Sequence, residues 1–287
     1  MLLRILTALV LIPAVVALVW WGPAAVTAAA AGLVAILAVV EFFHLANRMG
    51  LRAFRKWTIF STALLFYAQY SLGLVETRTL SGGVSLVRDA AGGVVSVEAV
   101  LLVFLFGCVA VGIATRHPLA DVLLSMAASA AGLIFIALPF SYLVRINETE
   151  RLGRELVLFT LCLIWAGDML AYFVGRSLGR MPMAPVLSPK KTWEGAIGSM
   201  IGSMIVGAAF VRWLYAPLPA VLAMAAAGNI AGQAGDLLES AYKRSAGVKD
   251  SGSLLPGHGG VLDRVDALIL AIPVVWYYWI LIYSPRM

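Results

Sequence analysis

Runs of roughly 18 or more residues almost without charge recur along this chain, and each is long enough to cross about 30 Å of hydrocarbon as a helix. They lie near 5–20, 24–40, 58–74, 97–115, 122–144, 155–174, 195–215, 218–237 and 262–283. The runs are continuously apolar rather than alternating, which implies helices and not a barrel. The predicted fold class is therefore an all-α integral membrane protein, a polytopic bundle of about nine transmembrane helices. Composition agrees, since 62% of the residues are hydrophobic and only 13% are charged, with a mean hydropathy of +0.94.

The first run, within MLLRILTALVLIPAVVALVWWGPAA, has the basic start and apolar core of a signal peptide. It is longer than a signal h-region, so it reads as a retained first span. With nine spans and the N-terminus inside, the cytoplasmic loops receive Arg4, Arg48, Arg52, Arg55, Lys56, Arg116, Arg176, Arg180, Lys190, Lys191, Lys243, Arg244, Lys249 and Arg264. Arg78, Arg88, Arg145, Arg151, Arg154, Arg212 and Arg286 are left outside. By the positive-inside rule this orientation beats its inverse by about two to one. The net charge of +6 thus reads as topology and contact with anionic lipid, with no nucleic-acid partner. Cys108 and Cys162 fall inside predicted spans and suggest neither a disulfide nor a thiolate metal site.

The two halves differ in kind. Residues 1–145 read as an apolar transmembrane scaffold, and residues 146–287 as a transmembrane catalytic region. After about Glu155, ionisable side chains enter the spans themselves, where desolvation costs several kcal/mol and function is the default reading. In the eighth predicted span Asn229, Gln233, Asp236, Ser240 and Lys243 are spaced by four, three, four and three residues. On a helix they form one polar stripe, which must face protein or a water-filled cavity. Asp168, Tyr172 and Arg176 step by four along the sixth span, and Asp263 and Asp266 stand one turn apart where the ninth begins. Interhelical hydrogen bonds and ion pairs that merely fix the bundle would explain any one of these groups. Their gathering at one cytoplasmic depth favours a site.

Carboxylates at the edge of a hydrophilic cavity suit Mg²⁺, which takes one or two of them together with substrate phosphates and water. Asp236 and Asp263 are the expected ligands. Lys243, Arg244 and Lys249 lie between them in sequence, where fixed cations can hold phosphate oxygens. PGHGG, residues 256–260, lets the backbone approach a ligand before a helix N-terminus that itself favours anions. His258 within it reads either as an acid or phosphate donor or as a turn residue. Metal, cations and backbone donors point to phosphoryl or nucleotidyl transfer. Neither a GxxxxGK[ST] loop nor an HExxH helix occurs.

Ser240-x-x-Lys243-Arg244, then Lys249-Asp250, then Pro256-Gly257-His258-Gly259-Gly260-x-x-Asp263-Arg264-x-Asp266 resembles the signature of the phosphatidate cytidylyltransferases, also called CDP-diacylglycerol synthases. The likeness extends upstream through WAGDMLAYFVGR, SPKKTWEG and GQAGDLLE, and so covers most of residues 165–266. It implies that CTP and phosphatidic acid condense to CDP-diacylglycerol and pyrophosphate at the cytoplasmic face of the membrane. It implies metal-binding aspartates at Asp236 and Asp263, holding Mg²⁺ with a possible second cation, and a possible homodimer. Ser188, Lys190, Lys191 and Thr192 are then expected to bind the CTP triphosphate, unless the lysine pair is only a topological anchor. Lys243, Arg244, Lys249 and Arg264 would share the phosphatidate phosphate and the pyrophosphate. Asp168 would serve as a further metal or hydrogen-bond partner, and Asp250 and Asp266 would orient the cations.

Two other readings compete. An ion-coupled transporter also places ionisable groups in spans, but its path should continue across the membrane, whereas the charge here crowds one end. Another CTP-dependent lipid enzyme, such as a polyprenol or phytol kinase, would use the same donor and differ in the group transferred.

Overall fold

The computed structural model describes residues 2–82, 95–114, 119–149, 151–254 and 259–283. Its helices are α1 (Leu2–Trp21), α2 (Ala24–Arg48), α3 (Arg55–Gly82), α4 (Val97–Ala114), α5 (Leu119–Gly132), α6 (Leu138–Asn147), α7 (Gly153–Leu178), α8 (Trp193–Phe210), α9 (Leu218–Ser245) and α10 (Leu262–Tyr278). A π-helical turn, Leu133–Ala137, joins α5 to α6 just ahead of Pro139, so that the two form one rod. Each predicted span falls on one of these rods, and the chain is an all-α polytopic membrane protein.

Six rods among the described residues are long and apolar enough to cross a membrane: Ala24–Arg48, Val97–Ala114, Asp121–Asn147, Gly153–Leu178, Trp193–Phe210 and Leu262–Leu281. The sequence count of about nine is thus not reached by length and composition alone. Of the other three predicted spans, α1 contributes the shorter apolar helix Leu9–Trp21. α3 is diluted by Thr58, Ser61, Thr62 and Gln69, and α9 by its polar stripe.

Cα packing divides the chain into two compact units, Met1–Gly153 with Ala246–Asp263, and Arg154–Ser245 with Arg264–Met287. In the first, α2 starts after Pro23 and ends in a Schellman motif: the Gly50 amide donates to the Asn47 carbonyl and the Leu51 amide to the Ala46 carbonyl. Gly50 has φ +81°, the left-handed conformation that such an ending requires. Polar side chains then tie helix to helix. The Phe54 amide donates to Ser129 Oγ (2.7 Å), Trp57 Nε1 to the Phe104 carbonyl (3.0 Å) and Gln69 Nε2 to Ser141 Oγ (3.1 Å). Within a bilayer such bonds contribute about 0.6 kcal/mol each on average, because the unfolded chain in the membrane finds partners as well. Large apolar side chains on α4, among them Phe106 and Ile113, are exposed, as a lipid-facing surface requires.

In the second unit small residues set the helix spacing. A Cβ on Gly202 would press on the Ala166 carbonyl and one on Gly198 on the Val174 side chain, so α8 lies close against α7. α9 packs along α8, with Asn229, Gly232, Gly235, Glu239 and Ser240 on its buried face. Between α7 and α8 a short antiparallel hairpin, β1 (Pro182–Ala184) and β2 (Ser188–Thr192), departs from the helical pattern.

Candidate active site

The polar stripe of α9 turns inward, as its spacing predicts. Asn229 is buried, and its Nδ2 donates to Ser199 Oγ and Ser203 Oγ of α8, both at 2.8 Å. Ser203 Oγ in turn donates to the Leu163 carbonyl of α7. Gln233, one turn on, donates from Nε2 to Asn229 Oδ1 (2.6 Å) and to the Ala196 carbonyl (3.3 Å). Here the stripe is a hydrogen-bonded ladder that binds three helices together. Below Gln233 it becomes ionic: Lys191 Nζ lies 2.6 Å from Asp236 Oδ2, and Lys243 pairs with Glu239 one turn back.

A cavity of about 170 Å³ opens beside this transition, lined among others by Asp168, Tyr172, Lys190, Lys191, Thr192, Gln233 and Asp236. The hairpin delivers the two lysines. Its closing end is fixed by the Trp193 amide donating to the Met181 carbonyl and by the Glu194 carboxylate accepting from the Met181 amide. Its turn is fixed by Arg244 Nε, which donates to the Leu187 carbonyl at 3.1 Å. Thr192 caps α8, accepting from the Gly195 amide at 3.1 Å, so the first turn of that helix also faces the cavity. Lysines and a helix N-terminus around one opening favour an anionic occupant. Ser188 opens β2 but is not among the lining residues. Arg176 donates to the Tyr172 hydroxyl (2.6 Å).

Next to the cavity, Asp236, Glu239 and Asp266 each offer a carboxylate oxygen within 4.8 Å of the others. Close helix approach makes this possible, because a Cβ on Gly235 would collide with the Asp266 carbonyl. Asp168 shares an electrostatic neighbourhood with Asp236, Lys191 and Arg264, and Asp266 with Asp236, Asp168 and Lys243. Hard oxygen donors at this separation fit a divalent cation. Like charges held so close otherwise repel, an energy that Lys191 and Lys243 offset.

The other expected ligand, Asp263, lies in the first unit. Its Oδ2 accepts from the Ser251 amide (2.9 Å), the Ser251 hydroxyl (3.0 Å) and the Gly260 amide (2.8 Å). Lys249 and Asp250 are exposed in the same segment, and Arg264 is exposed on α10. His258, with Pro256 and Gly257, falls outside the described residues.

Two residues escaped the sequence reading. Glu239 belongs to the acidic group, but with Lys243 four residues on it has the pattern of an ordinary surface pair. Its signal was position, one turn from Asp236 on the buried face. Glu41 lies in the half read as scaffold, yet it is buried and accepts hydrogen bonds from Ser251, Val261 and Leu262. An ionisable residue within an apolar span was the available signal.

Comparison with known proteins adds relatives to this geometry. A bacterial protein named phosphatidate cytidylyltransferase, from Bacillus subtilis, is 38% identical over 146 residues, which are 50% of this chain and 54% of the relative. Proteins of the same name from Brucella abortus and Haemophilus influenzae are 40% and 41% identical, over 54% and 44% of this chain and 58% and 46% of theirs. The chain thus spans about half the length of the curated relatives it matches. The family model described as "Cytidylyltransferase family" matches residues 2–282, nearly from end to end. By that match, this chain belongs to the cytidylyltransferase family.

Proposed function

We propose that this chain condenses CTP with phosphatidic acid, releasing pyrophosphate and leaving CDP-diacylglycerol in the bilayer at the cytoplasmic face of a bacterial inner membrane. The observation that carries the reading is the junction in the second unit of a lysine-lined cavity with three mutually close carboxylates. The name borne by the relatives supports the choice of donor and acceptor.

A phosphate oxygen of phosphatidate forms a bond to the α-phosphorus of CTP while the bond from that phosphorus to the oxygen bridging to the β-phosphate breaks. The nucleophile is already an anion at neutral pH, so no strong base is needed. The requirement is to hold two polyanions in line against their repulsion. Lys190, Lys191 and the first turn of α8 bind the triphosphate, and Thr192 fixes the entry of that helix. Arg244 holds the hairpin that carries the lysines. Lys243, Lys249 and Arg264 supply positive charge for the lipid phosphate and the departing pyrophosphate. Asp236, Glu239 and Asp266, with Asp168 nearby and Asp263 as a further candidate, would hold Mg²⁺ and a possible second cation. When bound, Mg²⁺ supplies charge neutralisation at the phosphates. Acyl chains stay in lipid, and the acting unit is a homodimer.

The test is incubation of the purified protein in detergent with phosphatidic acid, Mg²⁺ and cytosine-labelled CTP, beside an EDTA control and Asp236→Asn. Label is expected in a lipid product, abolished by EDTA and reduced about 100-fold or more by the substitution, as when one electrostatic stabiliser is removed. Label entering lipid from the γ-phosphate instead of the cytosine would mark a kinase and refute the proposal. No label from either position in folded protein would turn attention to transport.

A further inference from the structure

We infer that Glu41, in the N-terminal helices, is a positioning residue for the reaction proposed above: it anchors the segment 246–263 and through it sets Asp263. The inference depends on that reading only for what the segment serves. The anchoring itself is geometric.

Glu41 stands on α2 and is only 6% exposed. A carboxylate so placed is costly unless it is hydrogen-bonded. Its Oε1 accepts from the Val261 amide, and its Oε2 from the Leu262 amide and the Ser251 hydroxyl, each at 2.9 Å. The two amides open α10, where backbone donors have no partner within their own helix and the dipole favours negative charge. Glu41 is therefore a helix cap supplied from more than two hundred residues away. The Ser251 hydroxyl lies between Glu41 Oε2 and Asp263 Oδ2, at 2.9 and 3.0 Å, within donating reach of either carboxylate, while the Ser251 amide donates to Asp263 Oδ2 at 2.9 Å. Ser251 and Gly260, far ends of a loop, are thereby both held to one point. Backbone on both sides approaches this point so closely that a Cβ on Gly252 or Gly260 would run into the Glu41 carboxylate. Filling an apolar gap would not need a charge here. A carboxylate that caps α10 and holds the same Ser251 that donates to Asp263 fixes where Asp263 stands, which an apolar side chain of the same volume cannot do.

Glu41→Gln keeps the size and one acceptor oxygen but removes the charge. Gly260→Ala leaves every charge in place and crowds the carboxylate. Both are compared with wild type by hydrogen exchange of the detergent-solubilised full chain, and by kcat and KM for CTP in the cytosine-label assay. The expected result is faster exchange confined to 246–263 in both variants, with kcat about tenfold or more lower and KM for CTP unchanged, the scale on which removal of an outer-shell partner acts. Ser251→Ala combined with Glu41→Gln should cost less than the sum of the two, because both cut one link. Exchange like wild type in 246–263, loosening spread evenly over all helices, or a loosened segment with kcat intact would each overturn the inference. If wild type forms no labelled lipid, the proposed reaction fails by itself, and the exchange comparison alone decides whether Glu41 holds the segment.

Discussion

Asn229 and Lys191 both engage the polar stripe of α9, Asn229 from within it and Lys191 by pairing with Asp236, yet their substitution should fail differently. Asn229 joins Ser199, Ser203 and Gln233 in a buried ladder, so Asn229→Ala leaves several polar groups short of a partner. A loss of about 1–2 kcal/mol is expected, read as a lower unfolding midpoint in detergent. Lys191 lines the cavity and pairs with Asp236 where both side chains are part-exposed, so Lys191→Ala should lower the midpoint less than Asn229→Ala does. Its expected effect is a KM for CTP about tenfold higher, equal to the loss of one charge-assisted bond near 1.4 kcal/mol. Steady-state kinetics on the two variants checks the contrast. At this scale Asn229 and Asp236 were legible because spacing placed them on one stripe, and Lys191 because it stands in SPKKTWEG, one of the stretches that carry the family resemblance. Glu41 was not, since neighbouring residues give no hint that its partners lie at Ser251 and Leu262. Glu239 was hidden by the very lysine that neutralises it.

Helices were legible as elements because hydropathy acts over whole turns, and each predicted span lies on a rod. The hairpin was not. Pro182, Pro185 and Pro189 break any alternating pattern in MPMAPVLSPKKT, and what holds the strands is Arg244 at the turn and Glu194 at the base. Helix spacing, too, emerges only from contacts. Gly235→Ala should drive α9 away from the Asp266 carbonyl, costing about 1–3 kcal/mol by overpacking. It should also spread Asp236, Glu239 and Asp266 and weaken divalent-cation binding severalfold, in a titration of Mn²⁺ followed by its paramagnetic resonance. Unchanged Mn²⁺ affinity in a destabilised variant would separate packing from metal binding.

Across the whole molecule, the distribution of arginine and lysine predicts orientation. In a background with Cys108→Ala and Cys162→Ala, Lys249→Cys and Arg52→Cys should react with a membrane-impermeant maleimide only in inverted vesicles. Arg151→Cys should react in intact cells. The reverse pattern would invert the orientation that the basic residues predict. Charge bias was readable from sequence because it is additive over loops. The division into two compact units was not, because residues 246–263 group with the first 153 residues, as where Ser251 meets Glu41, 210 positions earlier.

The polar stripe of α9 has one more consequence. Asn229 and Gln233, with Asp236 and Glu239 beyond them, dilute α9 so far that it is not among the described helices apolar enough to cross a membrane by length and composition. Its hydropathy does not carry it into lipid alone. The helix that satisfies Asn229 and Gln233 is α8, which leaves the ribosome immediately before it. α8 and α9 are therefore expected to enter the bilayer together, as a prepaired hairpin, which makes the timing of synthesis one of the conditions for building the site.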